Sequence, residues 1–177
     1  MAGEKKLIGP TTTIWWIPVG VLANPLKPSA AALQSALSAG DALNVSCAVV
    51  TGYTMNPTDS DTQASKTICD AGNAETRGAA NYEVSIQFAR EANPDTNTDS
   101  VFIAPFEEFK HKGAEGYFYR RVGKLSTEAL AVNDPIDVFK VISDNPRDIE
   151  EAGGGPIYME VPFLPQGEMA IQVKAVA

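Results

Sequence analysis

Between Asn81 and Glu91 apolar and polar residues alternate strictly: Tyr82, Val84, Ile86 and Phe88 against Glu83, Ser85, Gln87 and Ala89. A period of two is that of a β-strand with one face packed and the other in solvent. Further on the period changes. Phe102, Phe106 and Phe109 recur at helical spacing, with Glu107, Glu108, Lys110, His111 and Lys112 between and after them and Gly113 as terminator, so an amphipathic helix is expected over about Val101–Lys112. Pro105 requires that helix to begin near Ala104 or to kink there.

Other segments are read in the same way. Thr12 to Val21 is rich in β-branched and aromatic residues and is broken by Pro18 and Gly20, which predicts an N-terminal strand suited to an edge. Ser29 to Ala39 has helix propensity, with Ser29 as cap and Gly40 as stop, and forms either a small helix or an ordered turn. Leu43 to Tyr53 is apolar enough on both faces to predict a buried strand. Gly116–Val122, Pro135–Ser143, Pro156–Leu164 and Met169–Val176 are strand-like and are separated by Asn133-Asp134, Asp144-Asn145-Pro146, Gly153-Gly154-Gly155 and Pro165-Gln166-Gly167. Roughly seven strands and one strong helix result. This pattern predicts a sandwich or barrel rather than a parallel α/β sheet.

Residues 54–80 are dominated by Thr, Asn, Asp, Ser, Ala and Gly. A loop of that length inside a compact domain points to a functional segment or one that orders on a neighbour. Thr67, Ile68 and Cys69 within it offer one short hairpin arm. A chain of 177 residues is expected to form one domain, 1–177, with residues 1–11 as an N-terminal arm.

Charge narrows the function. The net charge of -8 argues against a protein that wraps nucleic acid, because phosphate neutralisation requires clustered Lys and Arg. No apolar run approaches the length that spans a bilayer, so no membrane partner is expected. Two cysteines, Cys47 and Cys69, are too few for a disulfide framework and lack metal-ligand spacing; free thiols and a single disulfide both remain open, and Cys47 falls in the predicted apolar strand, where thiols serve as inert filler.

Catalytic chemistry is thin. His111 is the single histidine, so neither a histidine zinc site nor a proton relay assembles readily. Asp95, Asn97 and Asp99 open like a calcium loop, but Ser100 occupies the glycine position and Phe106 the closing glutamate position. Gly153-Gly154-Gly155 precedes Pro156 and a strand rather than a helix N-terminus, which makes it a turn and not a phosphate cradle. No catalytic residue, cofactor or metal is assigned. Arg120 and Arg121, with Lys124, form the one compact basic patch; on a strand the two arginines face opposite ways, which favours contacts with an acidic neighbour. A rival reading is a carbohydrate-binding or adhesion module, with Trp15 and Trp16 as a sugar platform, yet adjacent strand residues face apart and at most one can join it.

The order of Tyr82 to Phe88, Phe106-Glu107-Glu108-Phe109, Gly116 to Gly123, Val138 to Ile142 and Pro162 to Glu168 resembles the major tail tube proteins of long, non-contractile-tailed bacteriophages, most of all those of actinobacteria. The resemblance covers Asn81 to the C-terminus well and the first half more loosely. It implies a mainly β fold, a β-sandwich or barrel with one flanking helix, in a virion structural protein that assembles in the host cytoplasm. Subunits would form hexameric rings around a lumen, stack into a tube and bridge through long loops and arms; Arg120, Arg121, Thr67 and Ile68 are candidate inter-subunit contacts. Tape-measure, tail terminator and distal tail proteins are implied partners, with DNA as passing cargo. Glu83, Ser85 and Gln87 then form either a lumen surface or an ordinary solvent-facing one. A contractile-tail or injection-apparatus tube protein would share the fold.

Overall fold

A computed structural model describes residues 11–64, 75–91, 100–150 and 157–177. Among them are strands β1 (Thr12–Pro18), β2 (Leu43–Asn44), β3 (Thr54–Thr58), β4 (Thr62–Ala64), β5 (Glu75–Arg77), β6 (Asn81–Arg90), β7 (Glu115–Val122), β8 (Pro135–Ser143), β9 (Arg147–Glu150) and β10 (Ile157–Lys174), and helices α1 (Ala30–Ala39) and α2 (Ile103–Phe109). The fold is mainly β. One antiparallel sheet runs β2-β1-β7-β8-β10-β6-β3, with β9 beside the first half of β10, and β4 and β5 form a separate two-stranded ladder.

The sheet rolls over. Ile14 and Trp16 of β1 share a core with Met55 of β3, although the two strands lie near opposite ends of the sheet order. One segment stitches the rims together. Leu43 and Asn44 pair with β1, Val49 bridges to Phe88, and Thr54–Thr58 lie along β6. Val84, Ile86, Phe88, Phe118, Phe139, Val161 and Phe163 fill the interior. On the outer face of β1, β7 and β8 a second core forms, in which Leu33 and Ala36 of α1 cover Trp15, Ile17, Tyr119 and Val138. The strand alternation thus divides the adjacent tryptophans between two cores, both fully buried.

Local chemistry explains the helices. Ser29 accepts a hydrogen bond from the Ala32 N–H, and Gly40 ends α1 in the left-handed region at φ 82°, so the capped helix is the outcome of the two readings. In α2, Pro105 sits in the first turn, where an N–H has no intrahelical partner anyway. Phe109 then enters the interior against Trp16, Phe88 and Phe163. Gly116 lies mid-sheet because the Trp16 indole rests on it: a Cβ there would stand 2.7 Å from the ring.

Several expectations are corrected. The buried strand over Leu43–Tyr53 shrinks to Leu43–Asn44, because Asn44 Oδ1 accepts from the Ser46 N–H at 3.2 Å and the chain turns there. Cys47 is consequently exposed rather than core filler; Cys69 lies outside the described residues. The long polar loop begins later than expected, since Thr54–Thr58 pairs with β6. Thr62–Ala64 and Glu75–Arg77 form the ladder of a short arm; Thr67 and Ile68 lie outside the described residues. Pro165-Gln166-Gly167 is no turn between strands but a bulge within β10, and β9 was not anticipated.

β10 carries two such register shifts, between Pro165 and Met169 and between Ala170 and Val173. A side chain anchors each. The Tyr82 hydroxyl donates to the Lys140 carbonyl and accepts the Gln166 N–H at 2.9 Å. Asp137, 3% exposed, accepts the Gln172 N–H at 2.9 Å through Oδ1 and Arg120 Nη2 at 2.8 Å through Oδ2. Gln172 adopts φ 53° in the second shift, as a bulged residue often does.

Candidate assembly surface

Register assigns each polar residue of the sheet to a face. Glu83 and Ser85 of β6 stand opposite Asn56 and Thr54 of β3, and Ser85 and Gln87 opposite Pro162 and Glu160 of β10. All point away from the interior that Tyr82, Val84, Ile86 and Phe88 fill. Leu164 of β10 pairs with Ile142 of β8 and extends the same outer face, with Leu164 50% exposed. The cluster that α1 belongs to covers the β1, β7 and β8 part of that face and the end of β10 at Ala170 and Val173. What remains, among the described residues, is a largely polar, uncovered sheet surface across β3, β6 and the first part of β10, on which the three expected residues share one face.

Toward β7 this surface ends in a charged cluster. Lys140 lies 3.1 Å from Glu168 and 3.6 Å from Glu115, and the Tyr117 hydroxyl donates to Glu168 at 3.2 Å. The hydrogen bond to Glu168 holds the Lys140 ammonium above its ordinary pKa. Burial, then the Glu168 charge, raises the Tyr117 phenol.

The two arginines face opposite ways, as their adjacency requires. Arg120 looks inward, over the Phe139 ring, and donates to Asp137, to the Met55 carbonyl at 2.5 Å and to Asn56. Arg121 is 1% exposed and lies over the Trp15 ring. It donates to Asp134, Thr13 and the carbonyls of Leu125, Glu128 and Ala129. Both guanidinium groups are therefore engaged within the subunit's own fold. Neither tryptophan is on the surface, which removes the basis of a sugar platform.

Asp134 completes the Arg121 network. Burial pushes its carboxyl up, but hydrogen bonds from Lys124, the Ala131 N–H and Arg121 outweigh this and hold it below the ordinary value. A depressed carboxylate stabilises the fold above its unfolded pKa of about 3.9, and that contribution is lost as pH falls through the folded value. Urea midpoints measured from pH 6 to pH 2 should therefore fall more steeply for the wild type than for Asp134→Asn; parallel profiles would contradict the assignment.

Among the described residues no group of three or more His, Cys, Asp or Glu side chains could hold a metal ion, and no helix is long and apolar enough to cross a membrane. His111 is exposed beyond the end of α2.

The missed elements left different traces. Glu160 and Arg147 share the outer face only through the β9–β10 register, which no single-strand pattern contains. A search of curated proteins returns no match. A family model described as phage tail tube protein matches residues 7–177. A mainly β subunit with an uncovered polar sheet face accords with that match: the chain belongs to the phage tail tube protein family and is a structural component of the virion tail.

Proposed function

We propose that the chain is the wall segment of a tube built from stacked rings of six copies, through which DNA passes along the outer face of β3, β6 and β10. The observation that carries this reading is the uncovered polar face bearing Glu83, Ser85 and Gln87 beside Asn56 and Thr54. A surface of carboxylates and neutral polar groups repels phosphate and lets a duplex slide.

Lateral contacts fall to open strand edges. Beyond Phe163, β10 pairs only with β8 among the described residues, and β3 pairs only with β6. Unpaired edges of this kind template addition of another strand, so a neighbour's strand continues the sheet around the lumen. The arm that includes Thr67 and Ile68, together with residues 1–11, bridges subunits or rings. Head-to-tail stacking does not close along the axis and yields a tube, which tail terminator, distal tail and tape-measure proteins limit and fill.

Negative-stain microscopy of the purified, concentrated protein should show six-membered rings or tubes. A strictly monomeric solution would overturn the proposal.

A further inference from the structure

Among the described residues, the two cations of the uncovered outer face, Arg147 and Lys140, each have a carboxylate partner on that same face. Arg147 of β9 stands opposite Glu160 of β10, with Nη2 3.3 Å from Oε2 and side chains 66% and 26% exposed. Lys140 of β8 lies between Glu168 and Glu115. Glu83, in contrast, has no ion-pair partner among the described residues. The Arg90–Asp148 pair belongs to the other face, because Arg90 and Asp148 share the parity of Phe88 and Met159.

Folding stability does not account for the Arg147–Glu160 pair. An exposed pair contributes about 0–1 kcal/mol. Its larger consequence concerns what approaches the surface: a bare guanidinium is a bidentate phosphate ligand, whereas one with a carboxylate 3.3 Å away presents almost no net charge. That spacing is well inside the Debye length of about 8 Å at physiological salt, so salt weakens the pair without abolishing it.

We propose that Glu160 and Glu168 mask Arg147 and Lys140, so that the outer face offers no free cation to the phosphates of a duplex. This inference rests on the lumen assignment made above. The face is thus anion-repellent by local neutralisation of its cations as well as by its excess of carboxylates. Repetition around and along a tube multiplies any failure, since each unmasked arginine adds a phosphate contact and its share of counterion release.

The test assembles tubes of wild type, Glu160→Gln, the double variant Arg147→Gln/Glu160→Gln, and Glu83→Lys in the presence of duplex DNA, and measures nuclease-protected DNA in the pelleted tubes against NaCl concentration. Glu160→Gln tubes should retain on the order of tenfold more DNA than wild type at low salt, with a steep salt dependence. The double variant should return to the wild-type level. Retention by Glu83→Lys but not by Glu160→Gln would overturn the masking role and leave the lumen assignment standing. Retention by neither, in normal tubes, would overturn both. If Glu160→Gln does not polymerise, duplex binding by the unassembled protein decides: an increase over wild type supports masking, and equal binding overturns it.

Discussion

Arg121→Met should lower the stability of the unassembled subunit by about 3–5 kcal/mol, the usual cost of removing one partner of a buried ion pair. In the wild type its guanidinium, 1% exposed, holds the segment between β7 and β8 by donating at 2.7 to 3.1 Å to three carbonyls, Asp134 and Thr13. Methionine fills much of the volume but removes five hydrogen bonds, among them those that the Glu128 and Ala129 carbonyls accept, and each buried acceptor left unmet costs on the order of 1–3 kcal/mol. Lys124 still reaches Asp134 at 2.6 Å, which keeps the loss from being larger. The melting temperature should fall by roughly 10 °C. A urea midpoint and slope unchanged from wild type would show that the network does not hold the fold.

Trp16→Ala should cost a similar amount, about 3–5 kcal/mol. The indole is fully buried, with ring centroids 5.0 Å from Phe109 and 4.8 Å from Phe118, and its Nε1 donates to Glu108 at 2.7 Å. It therefore joins α2 to β1 by packing and by a charge-assisted bond. Trp16→Phe, which retains most of the apolar contact, should lose less stability while amide exchange in α2 speeds up. Equal losses for the two variants would assign the effect to the Nε1–Glu108 bond rather than to volume.

Where local pattern and tertiary packing agree, the sequence was readable. The alternation over Asn81–Glu91 became β6, and the co-facing of Glu83, Ser85 and Gln87 follows from its period alone. Phe109 marked α2, but the helix ends at Phe109 with Lys110 as its cap, short of the expected Gly113 stop. The failures arose where a side chain from elsewhere decided the backbone. Pro165-Gln166-Gly167 has the composition of a turn, yet the Tyr82 hydroxyl captures the Gln166 N–H and the strand carries on. Leu43–Tyr53 has the composition of a strand, yet the Asn44 side chain accepts the Ser46 N–H and the Ser46 hydroxyl donates to the Ile14 carbonyl of β1, which bends the chain there. The cation–carboxylate pairing of the outer face was hidden for a related reason, since it depends on cross-strand register over long sequence separations.

The position of β10 in the sheet also governs when the subunit takes shape during translation. It lies between β8 and β6, and it leaves the ribosome after every other strand. Until it emerges, no strand joins β8 to β6, only the segment from Leu43 to Thr58 ties β1 to β6 at the opposite rim, and the interior lined by Val161 and Phe163 stays open. Such non-local pairing is slow to form, and the sheet acquires the strand that joins β8 to β6 only after nearly all of this sequence has been made. The sheet face across β3, β6 and β10, on which the proposed assembly depends, therefore takes shape only once β10 has paired with both β6 and β8.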